Sequence, residues 1–141
     1  MNKPPLVVID ADAIVAQAFP KDANFEKANK ISQYLTAINA NMLYPVTAIT
    51  EAVTVLQRKL NSSVTALETA AVFTDQSLQI IDINNKIYSR AVNHYFLPST
   101  SKKNTLFDCI AAAVAEEFKA DAIFSFDNFY KKKGFKLAGE L

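Results

Sequence analysis

The sequence predicts an α/β domain whose central sheet is mostly parallel. Apolar runs of strand length alternate along the chain with segments whose apolar residues recur at helical spacing, and this alternation is typical of parallel α/β folds. The chain has 141 residues, and half of them are apolar, which is sufficient for a sizeable core. We therefore expect residues 1–141 to form one domain.

The decapeptide LVVIDADAIV predicts the first strand and the start of the first helix. Leu6 to Ile9 is an apolar run of strand length. Residues 13–19 then read as a short helix, with Asp12 as its N-cap and Pro20 closing it. The two carboxylates of this stretch, Asp10 and Asp12, therefore lie where a buried strand ends and a helix begins.

The rest of the chain reads as strands connected by helical segments, as a parallel sheet requires. The predicted strands lie at 42–44, 78–81 and 122–126, with a weak strand at 135–137 and a loop at 97–104. A helix is predicted at 84–95. The other predicted helices have these core-facing residues, in chain order: Phe25, Ala28, Ile31, Leu35 and Ile38; then, after Pro45, Val46, Ile49, Val53, Leu56 and Leu60; then Val64, Leu67, Ala71 and Phe73; and, from Thr105, Leu106, Ile110, Val114 and Phe118.

The composition excludes several kinds of site. One cysteine, Cys109, and one histidine, His94, rule out a disulfide framework and a zinc site built from cysteine and histidine within one chain. Both glycines, Gly134 and Gly139, lie near the C-terminus, so no phosphate-cradling loop of the Walker or Rossmann kind is predicted. The apolar runs are too short for a membrane span or a signal peptide, so we expect a cytoplasmic protein without a membrane partner. Catalytic chemistry is left to carboxylates.

Four carboxylates are predicted to meet at one edge of the sheet. In a parallel sheet all strands end at the same edge, and open sheets bind their ligands there. Asp10 ends the first strand, and Asp127 follows the strand at 122–126. Glu51 and Asp108 lie in the first two turns of helices that begin at this edge, which places both within about 10 Å of it.

Each acid also has a purely structural interpretation. Asp108 has the Thr-x-x-Asp spacing of a capping box with Thr105. Glu51, on a polar helix face, fits a solvated side chain, and Asp127 fits a turn. Asp10 is the hardest to explain in this way, because an unpaired carboxylate at the end of a buried strand is costly.

Crowded carboxylates predict a bound cation. Two carboxylates about 4 Å apart repel each other by roughly 4 kcal/mol at an effective dielectric constant of 20. A group of them therefore either takes up protons or holds a cation. Ligation by oxygen without histidine selects a hard ion, Mg²⁺ or Mn²⁺, and such ions commonly serve phosphoryl chemistry.

These residues resemble the PIN domains, particularly the VapC-type toxins, over nearly the whole chain. The resemblance implies a three-layer α/β/α sandwich with a PIN-like, mostly parallel sheet, and a metal-dependent endoribonuclease. It implies Asp10, Glu51, Asp108 and Asp127 as catalytic residues, and Asp10, Asp108 and Asp127 as ligands of Mg²⁺ or Mn²⁺. It rests on the order and spacing of VVIDADAIV, PVTAITEAV, FDCIAAAVAEEFKADAIFSFD and DNFYKKKGF.

Further residues are implied as support for such a site. The position two after the first acid is often Ser, Asn or Thr in this family, so Asp12 is either an additional ligand or only a helix cap. Ser125 matches a small hydroxyl residue common there and would support the site. Arg58, Lys102 and Lys103 flank the acidic edge and are candidate contacts for an RNA backbone.

The resemblance also implies partners. It predicts an RNA substrate, a cognate antitoxin in a type II toxin–antitoxin pair, and a homodimer formed through apolar helix faces that include Phe19, Phe25 and Tyr34. Two other functions remain open. One is a haloacid-dehalogenase-like phosphatase with Asp10 as nucleophile and Asp12 as general acid. The other is a catalytically silent PIN-like module that binds RNA or protein.

Overall fold

Within residues 3–99 and 103–141, which this computed structural model describes, four parallel strands form one sheet in the order β3-β2-β1-β4. Val7 pairs with Met42 on one side and with Ala122 on the other, so β1 is an interior strand that lies between β2 and β4. The strands are β1 (Leu6–Ile9), β2 (Asn41–Pro45), β3 (Gln79–Ile81) and β4 (Ala122–Phe124).

Seven α-helices of the described residues connect and cover these strands. Two of them, α3 and α5, continue without a break into π-helical segments, Val55–Lys59 and Ala91–Phe96, and a 3₁₀ turn spans Ala138–Glu140. None of the described helices is long and apolar enough to cross a membrane. The helices are α1 (Ala11–Ala18), α2 (Phe25–Ala37), α3 (Val46–Thr54), α4 (Ser63–Val72), α5 (Asn85–Arg90), α6 (Leu106–Glu117) and α7 (Phe129–Lys132).

The helices form one layer on each face of the sheet. Successive side chains of a strand point to opposite faces, so Val7 and Ile9 pack with residues of α1, α2, α3 and α4, whereas Val8 packs with residues of α5, α6 and α7. All three side chains are at most 1% exposed, as expected for a strand covered on both faces. The predicted three-layer α/β/α sandwich with a parallel sheet is confirmed.

Two helices end in left-handed residues that turn the chain back into the sheet. After α2, Asn39 has φ 56° and Ala40 N donates to Leu35 O at 2.9 Å. After α6, Lys119 has φ 53° and Ala120 N donates to Ala115 O at 2.9 Å. Both are Schellman-type helix ends, at which glycine is the usual left-handed residue. Here Asn39 and Lys119 take that position, in a chain with only two glycines. These two helix ends direct the chain into β2 and β4.

The prediction that Asp12 caps the first helix is wrong. Helix α1 begins at Ala11, and Asp10 is its N-cap, because the Asp10 carboxylate accepts a hydrogen bond from Ala11 N at 2.7 Å. Asp12 therefore lies inside the first turn. The helix can start directly after the strand because the Asp10 side chain supplies a hydrogen-bond acceptor for the free N–H groups at the helix N-terminus.

The predicted strand at 135–137 is reduced to a single parallel bridge between Leu137 and Ile123. Ile123 N donates to Lys136 O at 2.9 Å, and the 3₁₀ turn then ends the extended backbone. Strand β4 is also shorter than the predicted 122–126, since Ser125 and the backbone of Phe126 bind a side chain of α1 instead of a neighbouring strand.

The predicted core face of α4 is only partly correct: Phe73, at the end of the predicted stripe, packs against the core, but the first residues of the stripe point outward. Val64 and Leu67 are 68% and 72% exposed, while the buried side chains of this helix are the small Ala66 and Thr69. Small residues thus form the inward face of α4, where Ala66 shares a core cluster with residues of α3. We call the outward side chains Val64, Leu67 and Val72 the α4 surface.

Candidate active site

Five carboxylates influence one another at the carboxyl edge of the sheet. Burial, followed by the charges of Asp12 and Asp108, raises the pKa of Asp10 well above its ordinary value. Burial and then the charges of Asp108 and Asp12 raise the pKa of Glu51 to about 7. Burial also raises the pKa of Asp108, with a further contribution from Asp127. The four predicted acids are thus brought together, and Asp12 joins them. We call these five residues the acidic cluster.

Asp10 is the most deeply placed member, with 3% of its surface exposed. Its backbone N–H continues the sheet by donating to Phe124 O at 3.1 Å. One carboxylate oxygen accepts from Ala11 N, and the other accepts from the hydroxyl of Tyr130. The cost expected for a buried carboxylate at this strand end is therefore offset by two donors.

Tyr130 is a site residue that the sequence analysis missed. Its side chain is completely buried, and the charges of Asp10, Asp108 and Asp12 all act on it. Burial first, and then these charges, raise the pKa of its phenol well above the ordinary value, so it serves as a hydrogen-bond donor. The only signal in the sequence was a tyrosine three residues after Asp127.

Asp12 connects α1 to the residues that follow β4. Its Oδ2 accepts hydrogen bonds from the Ser125 hydroxyl at 2.9 Å and from Phe126 N at 2.8 Å. Ser125 Oγ in turn accepts from Asp127 N at 3.0 Å. The other oxygen, Asp12 Oδ1, is buried and has no hydrogen-bond partner among the described residues. Asp12 and Asp127 are thus linked through a single hydroxyl group.

Glu51 enters the cluster from the second turn of α3, and Asp108 enters it from the first turn of α6. Glu51 is half-buried, and its Oε1 is buried without a hydrogen-bond partner among the described residues, so the solvated interpretation does not hold. Asp108 forms the predicted capping box: its carboxylate accepts from Thr105 N at 3.1 Å, and Asp108 N donates to Thr105 Oγ1 at 3.3 Å. Capping fixes the Asp108 side chain at the edge where the other acids lie.

Two clefts approach the acidic cluster from different sides. The first has a volume of about 210 Å³ and includes Asp12, Glu51, Asp22 and Asn24 in its lining. The second, which we call the lysine cleft, has a volume of about 390 Å³ and includes Asp127, Lys103, Lys132 and Lys133. The acids are therefore accessible from an acidic cleft on one side and a basic cleft on the other.

The candidate RNA contacts have different positions. Lys103 lines the lysine cleft beside Asp127. Arg58 is exposed on the π-helical segment, seven residues beyond Glu51. Lys102 lies outside the described residues.

The donor chemistry of the cluster fits a hard divalent cation. Two buried carboxylate oxygens, Asp12 Oδ1 and Glu51 Oε1, have no hydrogen-bond partner among the described residues. Burial, followed by the charges of neighbouring carboxylates, raises the pKa of four of the acids, namely Asp10, Asp12, Glu51 and Asp108. An oxygen-only set of this kind suits Mg²⁺ or Mn²⁺. Within residues 3–99 and 103–141, however, no three acidic, histidine or cysteine side chains are arranged so that they could hold one ion together.

Comparison with known proteins identifies the fold. No family model and no curated protein matches the sequence. Among solved structures, VapC20 from Mycobacterium tuberculosis, a toxin that cleaves the sarcin-ricin loop, is similar with a TM-score of 0.79 over 92% of this chain and 95% of that chain, at 16% identity. The chain has the fold of a VapC-type PIN domain. A toxin–antitoxin complex from Klebsiella pneumoniae is similar with a TM-score of 0.56 over 86% of this chain and 87% of that chain, at 17% identity.

Proposed function

We propose that this protein is a divalent-metal-dependent endoribonuclease that hydrolyses RNA phosphodiester bonds, and that it is the toxin of a type II toxin–antitoxin pair. One observation carries the proposal: the acidic cluster lies at the carboxyl edge of a VapC-type PIN fold. VapC20, which shares this fold, is a toxin that cleaves the sarcin-ricin loop.

Asp10, Asp108 and Asp127 are our proposed ligands for Mg²⁺ or Mn²⁺, and because no three acids of the described residues are arranged to hold one ion together, binding requires these side chains to move toward the cation. Asp10 keeps this capacity although both its oxygens accept hydrogen bonds, because a carboxylate offers about four lone-pair sites. A bound cation would neutralise charge on the cluster and on the phosphate of the substrate. In its absence the raised pKa of Asp10 and of Asp108 favours protonation of these carboxyl groups.

Glu51 is our proposed general base. Its pKa of about 7 allows it to accept a proton near neutral pH, where a base of this strength works best. Its Oε1 has no hydrogen-bond partner among the described residues, so this oxygen is available to an attacking water. Glu51 also lines the 210 Å³ cleft, through which water can reach it.

The RNA backbone is proposed to enter through the lysine cleft. Lys103, Lys132 and Lys133 line it together with Asp127, so phosphate groups bound there would lie beside the acidic cluster. Arg58 and Lys102 remain proposed contacts with the RNA backbone, and Lys102 lies outside the described residues.

A cognate antitoxin and a homodimer are the proposed partners, and the reaction is proposed to take place in the cytoplasm. The antitoxin is supported by the similar structure from Klebsiella pneumoniae, which is a toxin–antitoxin complex. Assembly is supported by exposed apolar side chains, namely Tyr34 at 47% and the α4 surface. Light scattering tests the dimer, since a monomer has a mass of 15.6 kDa.

The phosphatase alternative fits the geometry less well. A nucleophilic Asp10 would have to reach a substrate phosphate, but it is 3% exposed and both its oxygens accept hydrogen bonds. Asp12, the general acid in that alternative, already accepts two hydrogen bonds at Oδ2.

Cleavage of a structured RNA in Mn²⁺ or Mg²⁺ tests the proposal, with Glu51→Gln as the diagnostic variant. Glu51→Gln removes a charge but no hydrogen bond described here, so loss of cleavage with retained folding identifies a catalytic role. Asp82→Asn is the matched control, because Asp82 follows β3 at the same edge but is exposed. A wild-type protein that binds RNA without cleaving it would instead support the silent binding module.

A further inference from the structure

We propose that Asp12 is a positioning residue, which holds Asp127 in place through the Ser125 hydroxyl and the backbone of Phe126. The proposal rests on the proposed function, since it concerns how one acid of that site is fixed. It assigns Asp12 a role distinct from the helix cap and from direct ligation of a cation.

The hydrogen bonds form a continuous path from α1 to Asp127. Asp12 Oδ2 accepts from Ser125 Oγ at 2.9 Å and from Phe126 N at 2.8 Å, so both donors converge on one oxygen. The Ser125 hydroxyl gives its proton to Asp12 and therefore accepts from Asp127 N, at 3.0 Å. Asp127 Oδ1 accepts from Phe129 N at 2.9 Å, which ties the path to the start of α7.

The path replaces strand pairing at the point where β4 ends. Ser125 is 4% exposed and follows β4 directly, yet its neighbour Phe126 donates its N–H to a side chain and not to another strand. The backbone bends at Phe126, where Asp12 accepts the Phe126 N–H. Asp127 follows this bend and lines the lysine cleft, and its charge acts on Asp108. The bend therefore sets the position of the Asp127 carboxylate relative to Asp108.

A carboxylate suits this task better than a hydroxyl group would. A single carboxylate oxygen accepts from two donors here, and the amide oxygen of Asn offers the same two lone pairs. Asp12 also lies in the first turn of α1, where the helix dipole favours a negative charge. Asp10 already caps this helix, so the capping role is taken.

The convergence of both donors on Oδ2 gives a sharp genetic test. In Asp12→Asn the amide oxygen can take the place of Oδ2 and accept both hydrogen bonds, although the charge is lost. In Asp12→Ala both hydrogen bonds are lost, and in Ser125→Ala only the step through the hydroxyl is lost. A positioning role predicts that Asn rescues what Ala destroys, whereas a ligand role predicts that both variants fail.

The experiment measures kcat, KM and Mn²⁺ affinity for wild type, these three variants and the exposed control Asp82→Asn. We expect Asp12→Ala to lower kcat and to weaken Mn²⁺ binding by about 10- to 100-fold with little change in KM, as is usual when a residue behind a metal ligand is removed. Ser125→Ala should show a smaller loss in the same direction. Asp12→Asn should stay within about threefold of wild type, and Asp82→Asn should match it.

Equal loss in Asp12→Asn and Asp12→Ala would overturn the proposal in favour of direct ligation, and wild-type behaviour of Asp12→Ala would overturn it altogether. Calorimetric titration of Mn²⁺ keeps the test independent of nuclease activity. If wild type binds Mn²⁺ but cleaves no RNA, the proposed function fails while the affinity series still decides the role of Asp12. If Asp12→Ala does not fold, Ser125→Ala decides it, and failure of wild type to bind Mn²⁺ at all overturns both.

Discussion

The hydroxyl of Tyr130 donates a hydrogen bond to Asp10, and both side chains lie in the interior of the molecule. This contact joins α7, the last helix, to the residue that ends the central strand and caps α1. The hydrogen bond favours the ionised form of Asp10, in opposition to burial and to the neighbouring carboxylates, which raise its pKa. Tyr130 therefore favours the anionic form of Asp10 that the proposed metal site requires.

Replacement of Tyr130 by Phe should destabilise the protein by about 1–3 kcal/mol, because a buried carboxylate oxygen would lose its donor. Urea unfolding measures the change. Tyr88→Phe is the matched control, since Tyr88 is 48% exposed, and its effect should stay within about 0.5 kcal/mol. Equal stability of the two variants would show that the contact contributes nothing.

Addition of Mn²⁺ or Mg²⁺ should raise the melting temperature, because a cation that binds only the folded protein stabilises it by mass action. At a free concentration of 100 times Kd the gain is about 2.7 kcal/mol. The gain should shrink in Asp108→Asn and Asp10→Asn, whose wild-type side chains belong to the acidic cluster, and should persist in Asp82→Asn. A melting temperature that does not change in millimolar Mn²⁺ would contradict a shared metal site.

Without metal, the free energy of unfolding should fall as pH rises from about 4.5 to about 7. Burial raises the pKa of Glu51 from 4.5 to about 7, so in this interval the folded state binds more protons than the unfolded state. Because Glu51 is only half-buried, solvent screening limits its share to about 1 kcal/mol. Glu51→Gln should flatten the profile and be more stable than wild type at pH 8. An unchanged slope in this variant would assign the dependence to other groups.

Much of the fold was predictable because its strongest signals are local. The apolar run of β1 and the face of α2 with Ala28 and Leu35 lie as predicted. The orientation of α4 was not predictable, because Val64 and Leu67 have the spacing of a core face and only tertiary packing selects the small residues as the inward side. The strand predicted at 135–137 was wrong for a similar reason, because pairing with other strands is also tertiary. Only one bridge, to Ile123, forms there.

The site was predictable as far as topology determines it. A parallel sheet brings Asp10 and Asp127 to one edge whatever the details of their side chains. The partners of these acids depend on long-range contacts that no local pattern encodes. Tyr130 reaches Asp10 across 120 positions of sequence, and Ser125 reaches Asp12 across 113.

Lys119→Gly should stabilise the protein by about 1 kcal/mol. Lys119 has φ 53° at the end of α6, and a left-handed backbone costs a non-glycine residue roughly 1–2 kcal/mol, which glycine largely avoids. Lys119→Ala is the matched control, because it removes the same side chain and charge without relieving the backbone. Chemical denaturation should separate the two variants, and equal stability would show that Lys119 bears no strain.

Entry of RNA through the lysine cleft, as proposed above, would have a measurable signature in the salt dependence of binding. Lys132 and Lys133 line it beside Asp127, and each phosphate that such a side chain neutralises releases counterions. The dependence of RNA affinity on salt therefore reports the number of these contacts. Binding is measured in a Glu51→Gln background, so that cleavage does not interfere.

In that background, Lys132→Ala should weaken binding of single-stranded RNA and reduce the slope of log K against log salt by about 0.7, the value for one phosphate contact. The effect should be similar for RNAs of different sequence, because a phosphate contact carries no base specificity. Lys30→Ala is the control, since Lys30 is an exposed lysine of α2 outside the cleft lining and leaves the lysine cleft intact. If Lys132→Ala keeps the wild-type slope, or if Lys30→Ala changes it equally, the RNA does not enter through this cleft.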